Sequence, residues 1–401
     1  MRQDGLSIDA SGAGLAAGWQ ETTADAGAAR PLKVLTCLYS FNPGGVERVA
    51  FRLNARWAEL GLPARVIVGS DAGDARDAAL GAPVEILAPG EPRAGLFAMV
   101  SRLPAILRRE RPDVLFCAGN TYTSVGVAMK LLLGRACPPV VAKVSNDLVR
   151  RDMPPLLRFA YHRWCRLQGR FLDRFVAMAP AMVDEVAEAM GIPRDRIAVV
   201  HDPVLRGEEL AEFEALPRPA PLPSGRRYLA IGRLMPQKNF PLLLQAFARM
   251  AGPDDRLTIL GEGPDRAALE AQARALCITD RVAMPGHVTD LRPWLVANDV
   301  FVLSSLYEGV PAVVIEVMAA GLPMITTDCS TAMHDLMGGG RYGALVPVGD
   351  AAALAAAMAN PPVPAPVAER HAHVRRFTLE EGALGYLAVM RAVAREAPAL
   401  A

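Results

Sequence analysis

The sequence lacks the cysteine spacings of metal-binding and disulfide-rich domains. Its six cysteines, at positions 37, 117, 137, 165, 277 and 329, are far apart and form neither a CxxC pair nor a Cys/His cluster. Five of them fall in or beside apolar runs, which favours reduced core thiols of a cytoplasmic protein over disulfides or metal ligands. The first residues also lack a charged segment followed by an apolar one, so we do not expect secretion.

Long apolar runs and a strong charge imbalance are missing as well. No run approaches the ~20 residues that span a bilayer, so we expect any membrane contact to be peripheral. The formal net charge is +1, with 23 basic and 17 acidic residues in 31–205 and with 18 and 21 in 206–401. The positive excess of the first half fits an anionic partner but is too small to indicate nucleic acid.

Short apolar segments alternate with amphipathic ones over most of the chain. Buried strands that alternate with helices predict parallel sheets wound with helices on both faces. We predict strands at 32–38, 64–68, 84–87, 113–116, 140–144, 174–178 and 197–200, and again at 227–232, 256–260, 281–286, 299–304, 323–327 and 343–348. We therefore expect an α/β protein of two doubly wound Rossmann-like domains, with a ligand in the cleft between them.

Changes in composition predict the domain boundaries. Residues 1–30 are rich in small and polar residues without periodicity, which predicts a flexible tail, and their GAGLAA segment (12–17) fits a loose dinucleotide pattern but follows no strand. We assign no cofactor to it. The first domain then spans 31–205, a polar and proline-rich linker spans 206–225, and the second domain spans 226–375. Residues 376–401 are expected to form a helix that packs back on the first domain.

Two cations follow the first strand of the second domain, in GRLMPQKNF (232–240). Arg233 comes directly after Gly232, and Lys238 comes just before a predicted helix. A guanidinium and an ammonium at a strand end beside a helix N-terminus can clamp a pyrophosphate. The alternative is two surface cations near a loop.

Two carboxylates occur in LYEGVPAVVIEVMAAGLP (306–323). Pro311 suits the first position of a helix that ends at Gly321, which puts Glu308 at a strand end and Glu316 more than one turn into the helix. The first amides of that helix suit a phosphate. Carboxylates near such an anion are useful if sugar and ribose hydroxyls donate hydrogen bonds to them. The alternative is that Glu316 pairs with a buried arginine.

Two other loops belong to the predicted site. Gly44 and Gly45 precede an amphipathic helix, where backbone nitrogens can approach a phosphate or an incoming acceptor. The loop lacks the Lys-Ser/Thr of a P-loop, which disfavours an ATPase. His287 and Val288 follow a predicted strand, where exposed backbone could recognise a nucleobase, although His287 could equally make only a local hydrogen bond.

With these parts in order, residues 32–390 resemble the retaining glycosyltransferases of the large bacterial family 4, which have the two-domain GT-B architecture. The resemblance rests on GGVERVA, GRLMPQKNF, LGEGPDRAALE, GHVTDLRPWL and DVFVLSSLYEGVPAVVIEVMAAGLPMITTDC, and the E-x7-E spacing of positions 308 and 316 is the family's signature. It implies that Arg233 and Lys238 hold a nucleotide diphosphate. It also implies that Glu308 contacts the donor sugar and that Glu316 binds ribose hydroxyls.

The resemblance implies further features of the reaction. Gly45 would lie near the β-phosphate, and the segment that includes Gly309, Val310 and Pro311 would help to cradle the anion. No metal is implied, and the sequence has no DxD carboxylate pair. The expected donor is a UDP-sugar, and the expected acceptor is a lipid-linked (polyprenyl-diphosphate) or glycan molecule of surface polysaccharide synthesis, either exopolysaccharide or lipopolysaccharide.

The sequence departs from the family at two places. Many relatives have an Asn-Asn/Asp-Pro turn after the last strand of the first domain, where this chain has His201-Asp202-Pro203. Many also have a histidine after the fourth strand, where this chain has FCAGNTYTS. Asn120 is the polar residue that we predict in its place, and Ser145 and Asn146 are predicted to lie near it on the acceptor side.

Residues 150–174 carry seven arginines and two aspartates. Arg158, His162, Arg166, Arg170 and Arg174 recur every four residues, which predicts a basic stripe on a helix that also carries aromatic residues. Such a helix suits anionic headgroups at the inner face of the cytoplasmic membrane. The alternative is a solvated helix face over the core.

Two other functions fit the same architecture. A UDP-sugar 2-epimerase would convert a UDP-sugar without an acceptor, and a catalytically silent subunit would only bind it. The intact set of Arg233, Lys238, Glu308 and Glu316 favours the transferase over both.

Overall fold

The computed structural model describes residues 30–42, 44–73, 75–146, 148, 150, 153–217 and 224–396. The GAGLAA segment and nearly all of the predicted tail lie outside these residues. The described residues from Lys33 onward form one compact unit, and this unit holds two parallel sheets.

The first sheet has seven strands in the order β3-β2-β1-β4-β5-β6-β7. Because β1 pairs with β2 on one side and with β4 on the other, the order reverses between β1 and β4. The strands are β1 (Val34–Leu38), β2 (Ala64–Ser70), β3 (Val84–Ala88), β4 (Val114–Cys117), β5 (Val140–Lys143), β6 (Arg174–Ala177) and β7 (Ile197–Val199). The helices between them are α1 (Gly45–Glu59), α2 (Gly95–Glu110), α3 (Thr123–Leu133), α4 (Pro155–Phe171) and α5 (Met182–Met190).

The second sheet has six strands in the order β10-β9-β8-β11-β12-β13, with β8 and β11 side by side at the reversal. Its strands are β8 (Arg227–Ile231), β9 (Arg256–Leu260), β10 (Val282–Gly286), β11 (Val300–Leu303), β12 (Met324–Thr327) and β13 (Ala344–Val346). The accompanying helices are α7 (Phe240–Met250), α8 (Arg266–Ala275), α9 (Arg292–Ala297), α10 (Ala312–Ala320), α11 (Thr331–Leu336), α12 (Ala351–Ala359) and α13 (Val367–Arg375). A further helix, α6 (Gly207–Glu214), precedes this sheet.

The central strands of the second sheet are apolar on both faces. Leu229 and Phe301 belong to the core on one face, and Tyr228 and Val300 belong to the core on the other. Helices cover both faces of such a sheet, which explains why these strands are continuous apolar runs in the sequence. The prediction of two doubly wound domains is confirmed, and every predicted strand lies within two residues of an observed one at each end.

The cysteines also agree with the prediction. All six are free thiols, and all except the exposed Cys277 are buried.

The predicted linker is partly structured. Its residues Gly207–Glu214 form α6, and its residues 218–223 lie outside the described part of the chain. Arg52 of α1 donates to Glu209 of α6 at 2.9 Å and to the carbonyl oxygen of Val204 at 2.8 Å. The segment between the two sheets therefore contains a helix that Glu209 fixes against the first domain, while its bounds as a linker stay a prediction.

The last helix, α14 (Leu379–Glu396), lies against α1. Trp57 Nε1 donates to the carbonyl oxygen of Ala383 at 3.1 Å, and the ring of Tyr386 lies 5.2 Å from that of Phe116. The chain thus crosses back to the first sheet, beginning near Thr378, which bridges to Leu205.

Candidate active site

The loops that follow β8 and β11 are bonded to each other. Leu306 N donates to the carbonyl oxygen of Gln237 at 2.8 Å, and Gln237 Nε2 donates to that of Tyr307 at 2.9 Å. Ser304 Oγ donates to the carbonyl oxygen of Lys238 at 2.8 Å. Because β8 and β11 are neighbours, these bonds join the GRLMPQKNF loop to the loop of Glu308 at the carboxyl end of the sheet.

Lys238 and Glu308 form an ion pair on this surface. Lys238 Nζ lies 2.6 Å from Glu308 Oε1, and the two side chains are 16% and 9% exposed. Glu308 also accepts hydrogen bonds from Ser305 Oγ at 2.7 Å and from Gln237 Nε2 at 3.4 Å. The two groups that we predicted to touch the diphosphate and the sugar therefore touch each other, with their charges compensated within the protein.

Gly232 and Arg233 complete the loop after β8. A Cβ on Gly232 would lie 2.9 Å from Lys238 Cε, so the lysine stem lies across this glycine. Arg233 is exposed, and among the described residues its guanidinium has no hydrogen bond or ion pair. A guanidinium without a protein partner can bind a phosphate directly, because no existing bond has to break first.

Helix α10 begins one residue later than predicted. Pro311 is its N-cap, with φ −74° and ψ 114°, and Ala312 is the first helical residue. The helix ends as predicted at Gly321, whose φ of 72° suits glycine. The first two amides of the helix, those of Ala312 and Val313, have no hydrogen bond among the described residues, whereas Val314 N donates to the carbonyl oxygen of Pro311 at 3.0 Å. Gly309 and Val310 lead directly into this turn.

Glu316 is half-buried in α10 and has no hydrogen bond or ion pair among the described residues. The alternative pairing with a buried arginine is therefore absent from this part of the chain. Burial raises the pKa of the Glu316 carboxyl, and the positive charges of Arg48 and Arg52 on α1 act in the opposite direction. Its carboxylate oxygens are thus available to ligand hydroxyls.

Gly309 brings the Glu308 loop into contact with the first domain. A Cβ on Gly309 would lie 2.3 Å from the carbonyl oxygen of Ser145 and 2.9 Å from Met178 Cε. Ser330 Oγ donates to the carbonyl oxygen of Gly309 at 3.2 Å. The loops after β5 and β11 therefore meet, and no larger residue fits at position 309 without moving them apart.

The predicted acceptor-side residues are bonded to one another. Ser145 N donates to Asn120 Oδ1 at 2.7 Å, and Asn120 N donates to Ser145 Oγ at 3.4 Å. The amide oxygen of Asn120 thus joins the loops after β4 and β5, and Asn146 is exposed beside them. Their contact with an acceptor stays a prediction.

The remaining predicted donor residues occupy loop positions. Gly44 is the N-cap of α1, and a Cβ on the exposed Gly45 would meet nothing within 4 Å. His287 is exposed, and Val288 packs on the apolar core of the second sheet. The space at Gly45 allows a ligand to approach the backbone, while the contacts of all four residues with a donor stay predictions.

Two family models match the chain. Residues 43–204 match "Glycosyltransferase Family 4", and residues 225–360 match "Glycosyl transferases group 1". Together these two segments contain every residue of the predicted site. The chain therefore carries two glycosyltransferase domains, one of family 4 and one of group 1.

Bacterial relatives of this glycosyltransferase include enzymes named for lipopolysaccharide core biosynthesis and for a diphospho-undecaprenol-linked acceptor. It is 28% identical over 316 residues to the lipopolysaccharide core biosynthesis glycosyltransferase LpsE of Rhizobium meliloti, over 79% of this chain and 84% of that protein. It is 32% identical over 120 residues to the N-acetylgalactosamine-N,N'-diacetylbacillosaminyl-diphospho-undecaprenol 4-alpha-N-acetylgalactosaminyltransferase of Campylobacter jejuni. That second match covers only 30% of this chain and 33% of the relative.

Solved structures confirm the GT-B fold. The structure of Anabaena HepE in complex with UDP matches with a TM-score of 0.70 at 19% identity, over 90% of this chain and 100% of that one.

The His201-Asp202-Pro203 turn of the glycosyltransferase is held by contacts inside the protein. Asp202 accepts a hydrogen bond from Nζ of Lys143, a buried residue of β5. The ring of His201 lies 5.1 Å from that of Phe377. Burial lowers the pKa of His201 to about 4, and the charge of Arg376 acts in the same direction. The departure from the family motif thus places a neutral histidine and a paired aspartate where the chain leaves the first sheet.

The predicted basic stripe is not one surface. Helix α4 ends at Phe171, and Arg174 belongs to β6, where it pairs with Glu396 at 2.6 Å. Arg158 and His162 are half-buried. The exposed α4 stripe lies at i, i+3, i+7, i+10, i+11 and i+14 and comprises Leu156, Phe159, Arg163, Arg166, Leu167 and Arg170. Its first two residues are 80% and 64% exposed, so the stripe is apolar at one end and basic at the other.

Sequence reasoning missed several supporting residues. Gln237 and Ser305 bond to Glu308, and both occur inside the motifs that we had already identified. Arg48 lies three residues after Gly45, but its effect on Glu316 depends on how the two sheets meet. No local pattern could have revealed it.

The described helices include none that is long and apolar enough to cross a membrane. In the same residues, no group of three or more His, Cys, Asp or Glu could hold a metal ion.

Proposed function

We propose that this glycosyltransferase moves a hexosyl group from a UDP-sugar to a lipid-linked or glycan acceptor, with retention of configuration and without a metal. The observation that carries the proposal is the arrangement around α10: the Lys238–Glu308 pair beside its N-terminus, an unpartnered Arg233 and a half-buried Glu316 without hydrogen bonds. These residues provide positive charge that can bind a diphosphate and carboxylate oxygens that can accept hydrogen bonds from hydroxyls.

The chemistry of each group supports a position for one part of the donor. The diphosphate lies between Arg233 and Lys238 at the first turn of α10, where orphan amides and the helix dipole favour an anion. Glu316 accepts hydrogen bonds from the ribose, and Glu308 accepts them from the sugar. The presence of UDP in the HepE complex, which has the same fold, supports a uridine nucleotide.

The transfer reaction needs no protein nucleophile. The bond between the anomeric carbon and the β-phosphate oxygen breaks, and its electron pair leaves with the diphosphate. The acceptor oxygen forms the new bond on the same face of the sugar, and its proton passes to the leaving diphosphate. Arg233, Lys238 and the first turn of α10 stabilise the negative charge that develops there.

The acceptor side supports a role at the inner face of the cytoplasmic membrane. The name of the Campylobacter relative specifies a diphospho-undecaprenol acceptor, and that of the Rhizobium relative specifies lipopolysaccharide. The exposed α4 stripe joins apolar and basic residues, a combination that binds anionic lipid surfaces. We therefore propose peripheral membrane association for surface polysaccharide synthesis.

The donor proposal is tested by incubating the purified protein with UDP- and GDP-sugars and measuring nucleotide release. We expect slow release of UDP from one UDP-hexose, and we expect the same rate in EDTA. If only GDP-sugars react, the uridine assignment is wrong, and if EDTA stops release, the metal-independent mechanism is wrong. Conversion of the UDP-sugar into an epimer without UDP release would identify an isomerase instead.

The membrane proposal predicts that Arg166→Glu combined with Arg170→Glu lowers co-sedimentation with vesicles that contain phosphatidylglycerol. The basic end of the stripe would then repel the anionic headgroups. The matched control is Arg249→Glu with Arg274→Glu, two exposed arginines on α7 and α8. Equal binding by both double variants would rule out the exposed α4 stripe as the membrane contact.

A further inference from the structure

The first sheet has its own reversal of strand order, between β1 and β4. Ligands of open α/β sheets bind at such a point, beyond the carboxyl ends of the strands. The loop after β1 leads there into α1, whose first turn carries Glu47. The loop after β4 carries Tyr122, and these two side chains meet at the reversal.

Glu47 is a half-buried carboxylate with an unusual set of partners. The Tyr122 hydroxyl donates to its Oε1, and a Cβ on Gly44 would lie 2.0 Å from its Oε2, so the carboxylate lies against the Cα of that glycine. No cation forms an ion pair with Glu47 among the described residues. Its second oxygen thus lies at the paired glycines, beside the open space at Gly45.

The environment of Tyr122 keeps its hydroxyl protonated and therefore a hydrogen-bond donor to Glu47. It is 3% exposed, and burial together with the charge of Glu47 raises the pKa of its hydroxyl. Its ring lies 4.9 Å from that of Tyr39, whose own hydroxyl donates to the carbonyl oxygen of Thr121 at 2.8 Å. The tyrosine therefore fixes one oxygen of Glu47 and leaves the other free.

Close contacts at two glycines connect this point to the donor side. A Cβ on Gly119 would lie 2.7 Å from Val46 Cγ1 and 3.1 Å from Ser145 Oγ, and one on Gly309 would lie 2.3 Å from the Ser145 carbonyl oxygen. The residue before Glu47 and the residue after Glu308 are thus linked through two intervening loops. Glu47 and Glu308 therefore lie in one continuous row of contacting loops.

We propose that Glu47 positions the acceptor by accepting a hydrogen bond from a hydroxyl next to the attacking one, and that both hydroxyls belong to a sugar. A carboxylate without a counter-cation favours a hydroxyl donor but repels a phosphate. The enzyme therefore extends a glycan chain and does not join the first sugar to a polyprenyl phosphate. This inference rests on the proposed function, and the bonds made and broken are those given there.

The test measures acceptor-stimulated UDP release with octyl glycosides of glucose, galactose, mannose and N-acetylglucosamine, and with undecaprenyl phosphate. We expect stimulation by at least one octyl glycoside and none by the polyprenyl phosphate. Glu47→Ala should lower kcat/KM for that glycoside about 10- to 100-fold, as expected for a lost hydrogen bond to a charged group, while the Kd for UDP stays unchanged. Glu47→Gln should recover part of the loss because its amide oxygen still accepts a hydrogen bond.

Two control variants and the Kd for UDP separate positioning from folding and from donor binding. Glu59→Ala, at the other end of α1, should transfer like the wild type. Tyr122→Phe should raise the acceptor KM less than Glu47→Ala does, because the carboxylate remains. Loss of UDP binding in Glu47→Ala in parallel with transfer would give Glu47 a structural or donor-side role and overturn the proposal.

Other results would also overturn it. These are stimulation by undecaprenyl phosphate, the absence of stimulation by every octyl glycoside, or an unchanged kcat/KM in Glu47→Ala. Failure of the wild type to bind UDP would instead contradict the proposed function, so the two failures are distinguishable.

Discussion

Lys238→Ala is expected to lower kcat/KM for transfer about 100- to 1,000-fold, because the leaving diphosphate loses a charge that stabilises the transition state. The same change should destabilise the fold, since Glu308, 9% exposed, would keep its negative charge without a cation. Nucleotide release gives the rate, and thermal unfolding gives the stability.

The double variant Lys238→Ala with Glu308→Gln separates these two effects. It removes the orphaned charge while Ser305 and Gln237 can still contact the new amide. We expect its melting temperature to exceed that of Lys238→Ala and its activity to remain low. Recovery of activity along with stability would show that Lys238 acts only through folding.

Glu316→Ala is expected to lower kcat/KM for the donor about 100- to 10,000-fold, because it removes both hydrogen-bond acceptors for the ribose. Two hydrogen bonds to a charged group are each worth about 1.5–3 kcal/mol, so the KM for the donor should rise more than kcat falls. The measurement is a donor titration at saturating acceptor. A donor KM equal to that of the wild type would contradict the ribose assignment.

Stability provides the control for Glu316. Burial raises the pKa of this carboxyl, so the folded state favours its protonated form. The stability that the protonated form provides is present below the pKa of the unfolded chain. It is lost as the pH rises through the pKa of the folded protein. At neutral pH the ionised group therefore opposes folding. We expect Glu316→Gln to melt above the wild type without nucleotide, whereas a lower melting temperature would indicate a structural bond.

Strand patterns and motif order in the sequence predicted most of the fold and the composition of the site. The continuous apolar runs revealed the parallel sheets because residues such as Leu229 and Tyr228 are buried on opposite faces. Gly321 correctly predicted the end of α10, and Pro311 predicted its start to within one residue.

Contacts between distant segments were beyond sequence reasoning. The Lys238–Glu308 pair depends on which strands are neighbours, and the influence of Arg48 on Glu316 depends on how the domains meet. The basic stripe failed for a local reason: a four-residue repeat drifts around a helix with 3.6 residues per turn, and the helix ended before Arg174.

A calorimetric titration of UDP into the wild type and into an Arg233→Ala, Lys238→Ala double variant tests the central claim most directly. The site at α10 predicts saturable binding of UDP by the wild type and its loss in the double variant, with both proteins folded by circular dichroism. Equal binding of UDP by the two proteins, or none by the wild type, would contradict the claim that these residues form a nucleotide-sugar site.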